Sequence, residues 1–120
     1  MKYVRVSNAQ DETLLARAGW CDTFALRLRG LSFRLSLPPD EGLILVEGSA
    51  SIARTSIHML FVNFAIAAMW LDDDRRVVHM ARAKPWRLYY ASPIPARYVL
   101  EGPPSLLEWV AVGDVLNFEE

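Results

Sequence analysis

Phe64 to Leu71 is an almost wholly apolar run, and four polar residues, Asp72-Asp73-Asp74-Arg75, follow it at once. A second run, Arg76-Val77-Val78-His79-Met80, comes next. Two apolar runs around a short polar break read as a buried β-hairpin. Within the first run, Phe64, Ile66, Ala68 and Trp70 share one face of a strand, and Ala65, Ala67, Met69 and Leu71 share the other. Neither face is polar, so this strand belongs inside a sheet covered on both sides. The stretch from Ser56 to Arg87 also holds both histidines and two of the four tryptophans.

The rest of the chain supplies partners for that hairpin. Met1 to Val6 and Thr13 to Trp20 read as strands, and Leu43 to Val46 as a short strand buried on both faces. Ser36 to Gly42 is a turn, since Pro38-Pro39-Asp40-Glu41-Gly42 combines fixed φ, an Asx acceptor and a permissive glycine. Gly48 to Ser51 reads as a loop, and Ser56 to Phe61 as a further strand. Ala96 to Glu101 alternates, with Ala96, Tyr98 and Leu100 inward and Arg97 and Glu101 outward. Ser105 is placed to cap a short helix over Leu106 to Val110, and Val115 to Phe118 reads as a last strand. Thr23 to Phe33 fits two periods. Period two puts Phe24, Leu26 and Leu28 on one face; period 3.6 makes a stripe of Phe24, Leu28 and Leu31, with Asp22 or Thr23 as cap. Six to nine short strands, broken by Pro and Gly, point to an all-β sandwich or barrel with one or two short helices.

At 120 residues the chain is one domain. Its 13 basic and 14 acidic residues balance, which argues against a dedicated nucleic-acid binder. No apolar run approaches the ~20 residues of a membrane span, and no signal peptide stands at Met1 to Gln10. One cysteine, Cys21, allows no internal disulfide and suits a reducing compartment. The expectation is a soluble, cytoplasmic protein with no membrane partner, monomeric or weakly self-associating.

Several segments together resemble a known family. They are Arg29-Gly30-Leu31, Arg34, Leu37-Pro38 to Gly42-Leu43, Ser56-Ile57-His58, the Leu71-Asp72 to Val77-Val78 hairpin, Pro85-Trp86-Arg87, Val99-Leu100-Glu101 and Gly113-Asp114. In this order and spacing they are similar to the small prokaryotic family called domain of unknown function 192, over about Ala18 to Phe118. The resemblance implies a compact, mainly β, jelly-roll-like sandwich, favours a helix within Thr23 to Phe33, and brings no established activity. The chain departs from the pattern where a proline and an aspartate become alanines in Phe64-Ala65-Ile66-Ala67. It departs again where Arg75 replaces a turn glycine, and where Gly102-Pro103-Pro104-Ser105 replaces Leu-Pro-Ala-Gly.

No complete catalytic set is visible. His58 and His79 are the available proton carriers or metal ligands, but they fall on different predicted strands and lack further ligands at metal-site spacing. Asp72-Asp73-Asp74 lacks the glycine and distal glutamate of a calcium loop and reads as a solvated turn. Cys21 has no base beside it. Arg27, Arg29 and Arg34, with Arg87 and Arg54, have the planar donors that suit carboxylate or phosphate, or else pair with Asp40, Glu41 or Glu101 to tie a helix to the sheet. Trp86 between Pro85 and Arg87, ahead of Tyr89 and Tyr90, is the most site-like cluster; it either stacks on a ligand or plugs one end of the fold. The leading expectation is a non-enzymatic module binding a small anionic or carbohydrate-like ligand, or a protein segment, through Arg29, Arg34, His58, Trp86 and Arg87. It needs no metal and no cofactor. The alternatives are a small metal-dependent or histidine-based enzyme using His58 with His79 or Cys21, and a self-associating structural protein using Trp70, Trp86, Tyr89, Tyr90 and Trp109.

Overall fold

A computed structural model describes all residues, 1–120. The chain runs β1 (Tyr3–Ser7), β2 (Thr13–Cys21), α1 (Phe24–Arg29), β3 (Glu41–Ser51), β4 (Ile66–Leu71), β5 (Val77–Ala83), β6 (Ala96–Gly102), a 3₁₀ turn (Pro104–Glu108) and β7 (Asn117–Glu119). The seven strands form one sheet in the order β5-β4-β6-β3-β2-β1-β7. Neighbours are antiparallel except β2 and β3, which run parallel. A parallel pair needs a crossover of a dozen or more residues, and residues 22–40, carrying α1, supply it. Within that crossover the Thr23 to Phe33 ambiguity resolves as helix over Phe24–Arg29.

The hairpin is β4 and β5. All six residues of β4 are buried, and the strand lies between β5 and β6 as its two apolar faces require. Asp72 Oδ1 accepts from the backbone N–H groups of Asp74 and Arg76, at 2.9 and 3.0 Å, which fixes the polar turn. Arg75 takes φ 64°, a left-handed conformation that favours glycine. Its guanidinium lies 4.6 Å from the Phe118 ring, and this cation–π contact offsets part of the strain.

Each face of the sheet has its own core. One gathers Val6, Leu15, Ile44, Met69, Leu71, Leu100 and Leu116. This core reaches from β1 to β4, so the sheet curls around it. At one corner the chain before β7 meets β5 through an Arg76–Val115 bridge and bonds such as Val77 N–H to Asp114 O, 2.8 Å, but the ends do not close into a barrel. The other core gathers Leu31, Leu45, Ile57, Met59, Val62, Ile66, Trp70 and Val99, roofed by α1 and the segment 52–65. The hydrogen bonds therefore draw one curled sheet with two covered faces, rather than the two facing sheets expected of a jelly-roll-like sandwich.

Other local expectations also differ. Ser56 to Phe61 is not a strand: only Ile57 bridges, to Tyr90, while Leu60 N–H bonds to His58 Nδ1 and Val62 N–H to Met59 O. Its alternating apolar side chains plug the second core without pairing edge to edge. Gly48 to Ser51 continues β3 instead of looping away, and Ser51 pairs with Ala96 beyond an irregularity. The 3₁₀ turn starts at Pro104 after Pro103, and Ser105 does not cap it. Glu101 does not point to solvent. Both faces of β6 are covered, and Glu101 is only 3% exposed.

Candidate functional site

Helix α1 sets the geometry. Thr23 caps it, its Oγ1 accepting from Leu26 N–H at 3.3 Å. Gly30 ends it at φ 50°, ψ −127°, a conformation open only to glycine. None of the six helical residues is fully buried. The helix therefore roofs the sheet without filling the space beneath, and a cavity of about 330 Å³ remains. Leu28, Leu31, Leu45, Ile57, Met59, Val62, Ile66 and Val99 give it apolar walls.

Polar groups hold the roof in place. Arg27 Nη1 donates to Asp22 O and to Val46 O, both at 3.0 Å, and its Nε lies 3.1 Å from Glu47 Oε1. Arg54 Nε stands 3.8 Å from the other oxygen of Glu47 and its Nη2 donates to Ser49 Oγ at 2.8 Å. Leu60 N–H donates to His58 Nδ1 at 3.2 Å, so that nitrogen carries the lone pair. His58 Nε2 therefore carries the hydrogen and donates it to Leu28 O at 2.9 Å, latching the last turn of α1. Three arginines, Arg27, Arg29 and Arg54, line the cavity together with Glu47. The ion pair expected for the arginine group exists, but the partner is Glu47 and not Asp40, Glu41 or Glu101.

Glu101 occupies the buried end. Its Oε1 has no hydrogen-bond partner. A Cβ added at Gly30 would lie 3.3 Å from that oxygen, so the glycine gives the carboxyl room as well as ending the helix. Burial pushes the carboxyl from its ordinary value of 4.5 up to about 7. Close by, burial and then the Glu101 charge push the Cys21 thiol up to about 11, with Asp22 adding and Arg34 opposing. Cys21 is thus a protonated, buried thiol at neutral pH and not a nucleophile.

Among the residues picked from sequence, Arg29 and His58 line the cavity. Arg34 lies outside it, near enough to Cys21 to oppose the rise of its thiol. Trp86 and Arg87 are also outside, behind the segment that forms one wall: Met59 N–H donates to Arg87 O at 2.7 Å, and Trp86 N–H to Met59 O at 3.0 Å. Trp86 joins a different feature. Its ring meets Phe61 edge-on at 5.1 Å, Phe61 stacks on Phe33 at 4.6 Å, and its indole N–H donates to Asn63 Oδ1 at 2.9 Å. All three aromatics are solvent-exposed, and all three take positive φ, between 61° and 67°. His79 lies against Trp70, with ring centroids 5.3 Å apart, on another element from His58, and no three His, Cys, Asp or Glu side chains converge. Trp70 is wholly buried, its indole N–H bonded to Thr55 O at 2.8 Å, so it is not available to an interface. Sequence reasoning missed Glu47 and turned Glu101 outward. No local signal marked Glu101 as buried, since its face of the strand reads Arg97, Val99, Glu101.

The comparisons with known proteins agree with one another. The UPF0127 protein of Thermococcus kodakarensis is 38% identical over 99 residues, covering 81% of this chain and 61% of its own length. The chain thus spans less than two thirds of that relative. The UPF0127 protein of Pyrococcus furiosus is 37% identical over 101 residues, covering 82% of this chain and 84% of the relative. Two crystal structures share the fold. One, from Sinorhizobium meliloti and named as a candidate transcription regulator, has a TM-score of 0.84 at 22% identity, over 97% of this chain and 92% of its own. The other, from Novosphingobium aromaticivorans and of unknown function, has a TM-score of 0.80 at 23% identity, over 96% and 83%. The family DUF192, described as Uncharacterized ACR, matches residues 5–118. That match takes in the helix, every wall of the cavity and all of the sheet but the outer ends of β1 and β7, and the chain belongs to the DUF192 family.

Proposed function

We propose that the chain is a non-enzymatic binding module that takes a small organic anion with an apolar body in the cavity beneath α1. The observation that carries this reading is a space of about 330 Å³ with apolar walls and three arginines against two glutamates, Glu47 and the buried Glu101, in its lining. That volume is in the range of small-molecule sites, about 300–1,000 Å³. The side chain of Arg54 is 57% exposed and only loosely paired with Glu47, while Arg29 makes no ion pair, so both are free to meet an anion. Leu28, Leu45 and Ile57 would face its hydrocarbon. Arg27 is already committed to Glu47 and the backbone and acts as a fastener.

The test is a thermal-shift and calorimetric series of straight-chain carboxylates from butanoate to octanoate. Binding that strengthens with chain length and weakens about tenfold in Arg54→Ala supports the reading; a tenfold change corresponds to about 1.4 kcal/mol. No response to any member of the series overturns it. The single buried thiol fits a cytoplasmic home for such a module.

A second reading rests on the exposed stack of Phe33, Phe61 and Trp86. Aromatic side chains of this kind are enriched at protein interfaces, and here they would make the chain a protein-binding or self-associating accessory domain. Light scattering at rising concentration, on wild type and Trp86→Ala, separates it from a plain monomer.

A further inference from the structure

A site for simple carboxylates leaves Glu101 unexplained. Its side chain lines the cavity, is buried to 3% exposure, and offers an oxygen that no donor in the protein satisfies. Buried acceptors without a partner are rare in folded proteins, and each calls for a cause. Gly30 at the end of α1 packs against it, Leu43 and Ala68 pair with it across the sheet, and its charge reaches the Cys21 thiol, which Asp22 and Arg34 also influence; Leu31, Leu45, Val62, Ile66 and Val99 line the same cavity. None of them is an ion-pair partner: no Lys, Arg or His lies within 4.0 Å of the carboxyl. The cavity thus combines a buried acid, apolar walls and two more exposed arginines, Arg29 without an ion pair and Arg54 loosely paired with Glu47.

We infer that the ligand is an aliphatic ω-amino acid, its ammonium against Glu101 Oε1 and its carboxylate at Arg29 and Arg54. This rests on the binding reading above and narrows it. A hydroxyl would satisfy the orphaned oxygen, but it would bring no opposite charge to the ionised form of the carboxyl. An ammonium supplies the hydrogen bond and the charge together. An α-amino acid carries its ammonium and carboxylate on one carbon and cannot extend from a buried acid to the more exposed arginines. An ω-amino acid separates them by methylene groups, which suit the walls. Burial holds Glu101 partly protonated near neutral pH, so pairing with an ammonium expels that proton to solvent. At pH 7 the release is about half a proton per ligand bound.

The experiment titrates wild type and Glu101→Gln with 4-aminobutanoate, 6-aminohexanoate and 8-aminooctanoate, and with butanoate, hexanoate and octanoate. Calorimetry is run in two buffers of different ionisation enthalpy, which counts protons without any variant. The inference predicts that one or more of the amino acids binds at least tenfold more tightly than the carboxylate of the same length. It predicts that Glu101→Gln removes that advantage while leaving carboxylate binding intact, and that binding to wild type releases protons at pH 7. If the carboxylates bind as well as their amino counterparts, or no proton is released, the cavity remains a site and the ammonium assignment is wrong. If neither series binds, both readings fall. The proton count stands even if Glu101→Gln does not fold.

Discussion

Glu101 shapes the behaviour of this molecule more than any other single residue. Its folded pKa, about 7, lies above its ordinary value of 4.5. Between those values the folded chain keeps a proton that the unfolded chain has released, so stability falls as pH rises through the window and levels off above it. A shift of this size corresponds to up to about 3 kcal/mol. Urea unfolding from pH 4.5 to 8.5 should show that decline in wild type and a flatter profile in Glu101→Gln, with the variant the more stable at pH 8. An identical slope in both would assign the effect elsewhere. The alternation of Ala96 to Glu101 is plain in the sequence, and so is the strand. What alternation does not encode is whether the polar face meets water, because that depends on which distant segment lies over it. Here the segment is Leu31 with the 57–66 stretch, and it turns an outward glutamate into a buried one.

Helix α1 is six residues long, far below the ~12–15 at which an isolated helix becomes marginally stable in water, so its existence depends on its fastenings. Arg27 is the strongest of these, with two backbone carbonyls and Glu47 as acceptors. Arg27→Ala should lower global stability by about 2 kcal/mol, the scale of hydrogen bonds to a charged group. Amide exchange should show α1 losing its protection first, with β4 and β6 the last to open. Equal loss across α1 and β4 would mean that the helix is not a separate roof. The cap at Thr23 was readable from sequence, since Asp-Thr before an apolar stripe is a helix start. The choice of helix over strand was not readable from Thr23 to Phe33 alone, because both periods fit. It accompanies the parallel pairing of β2 with β3, a relation between residues 17–21 and 41–45 that no local window contains.

At the scale of the whole molecule, one curled sheet separates two cores, and the two candidate surfaces lie on either side of the 57–62 segment. The cavity takes His58 and Met59; the aromatic stack takes Phe61. Trp86→Ala should therefore change ligand affinity less than twofold while Arg54→Ala changes it about tenfold. Equal losses in both would join the two surfaces into one site. The class of fold, the hairpin and the buried middle strand were legible because apolar pattern and turn chemistry are local. Strand order, the single sheet and the alignment of three left-handed aromatics were not, since each arises from contacts between distant loops, such as Phe33 N–H to Phe61 O at 2.9 Å. The most direct measurement is an amide chemical-shift titration of isotope-labelled protein with 6-aminohexanoate and hexanoate. The account predicts perturbations confined to residues 24, 27–31, 45–47, 53–59, 62, 66 and 99–101, the lining of the cavity. Shifts centred on Phe33, Phe61 and Trp86, or none at all with either compound, would contradict it.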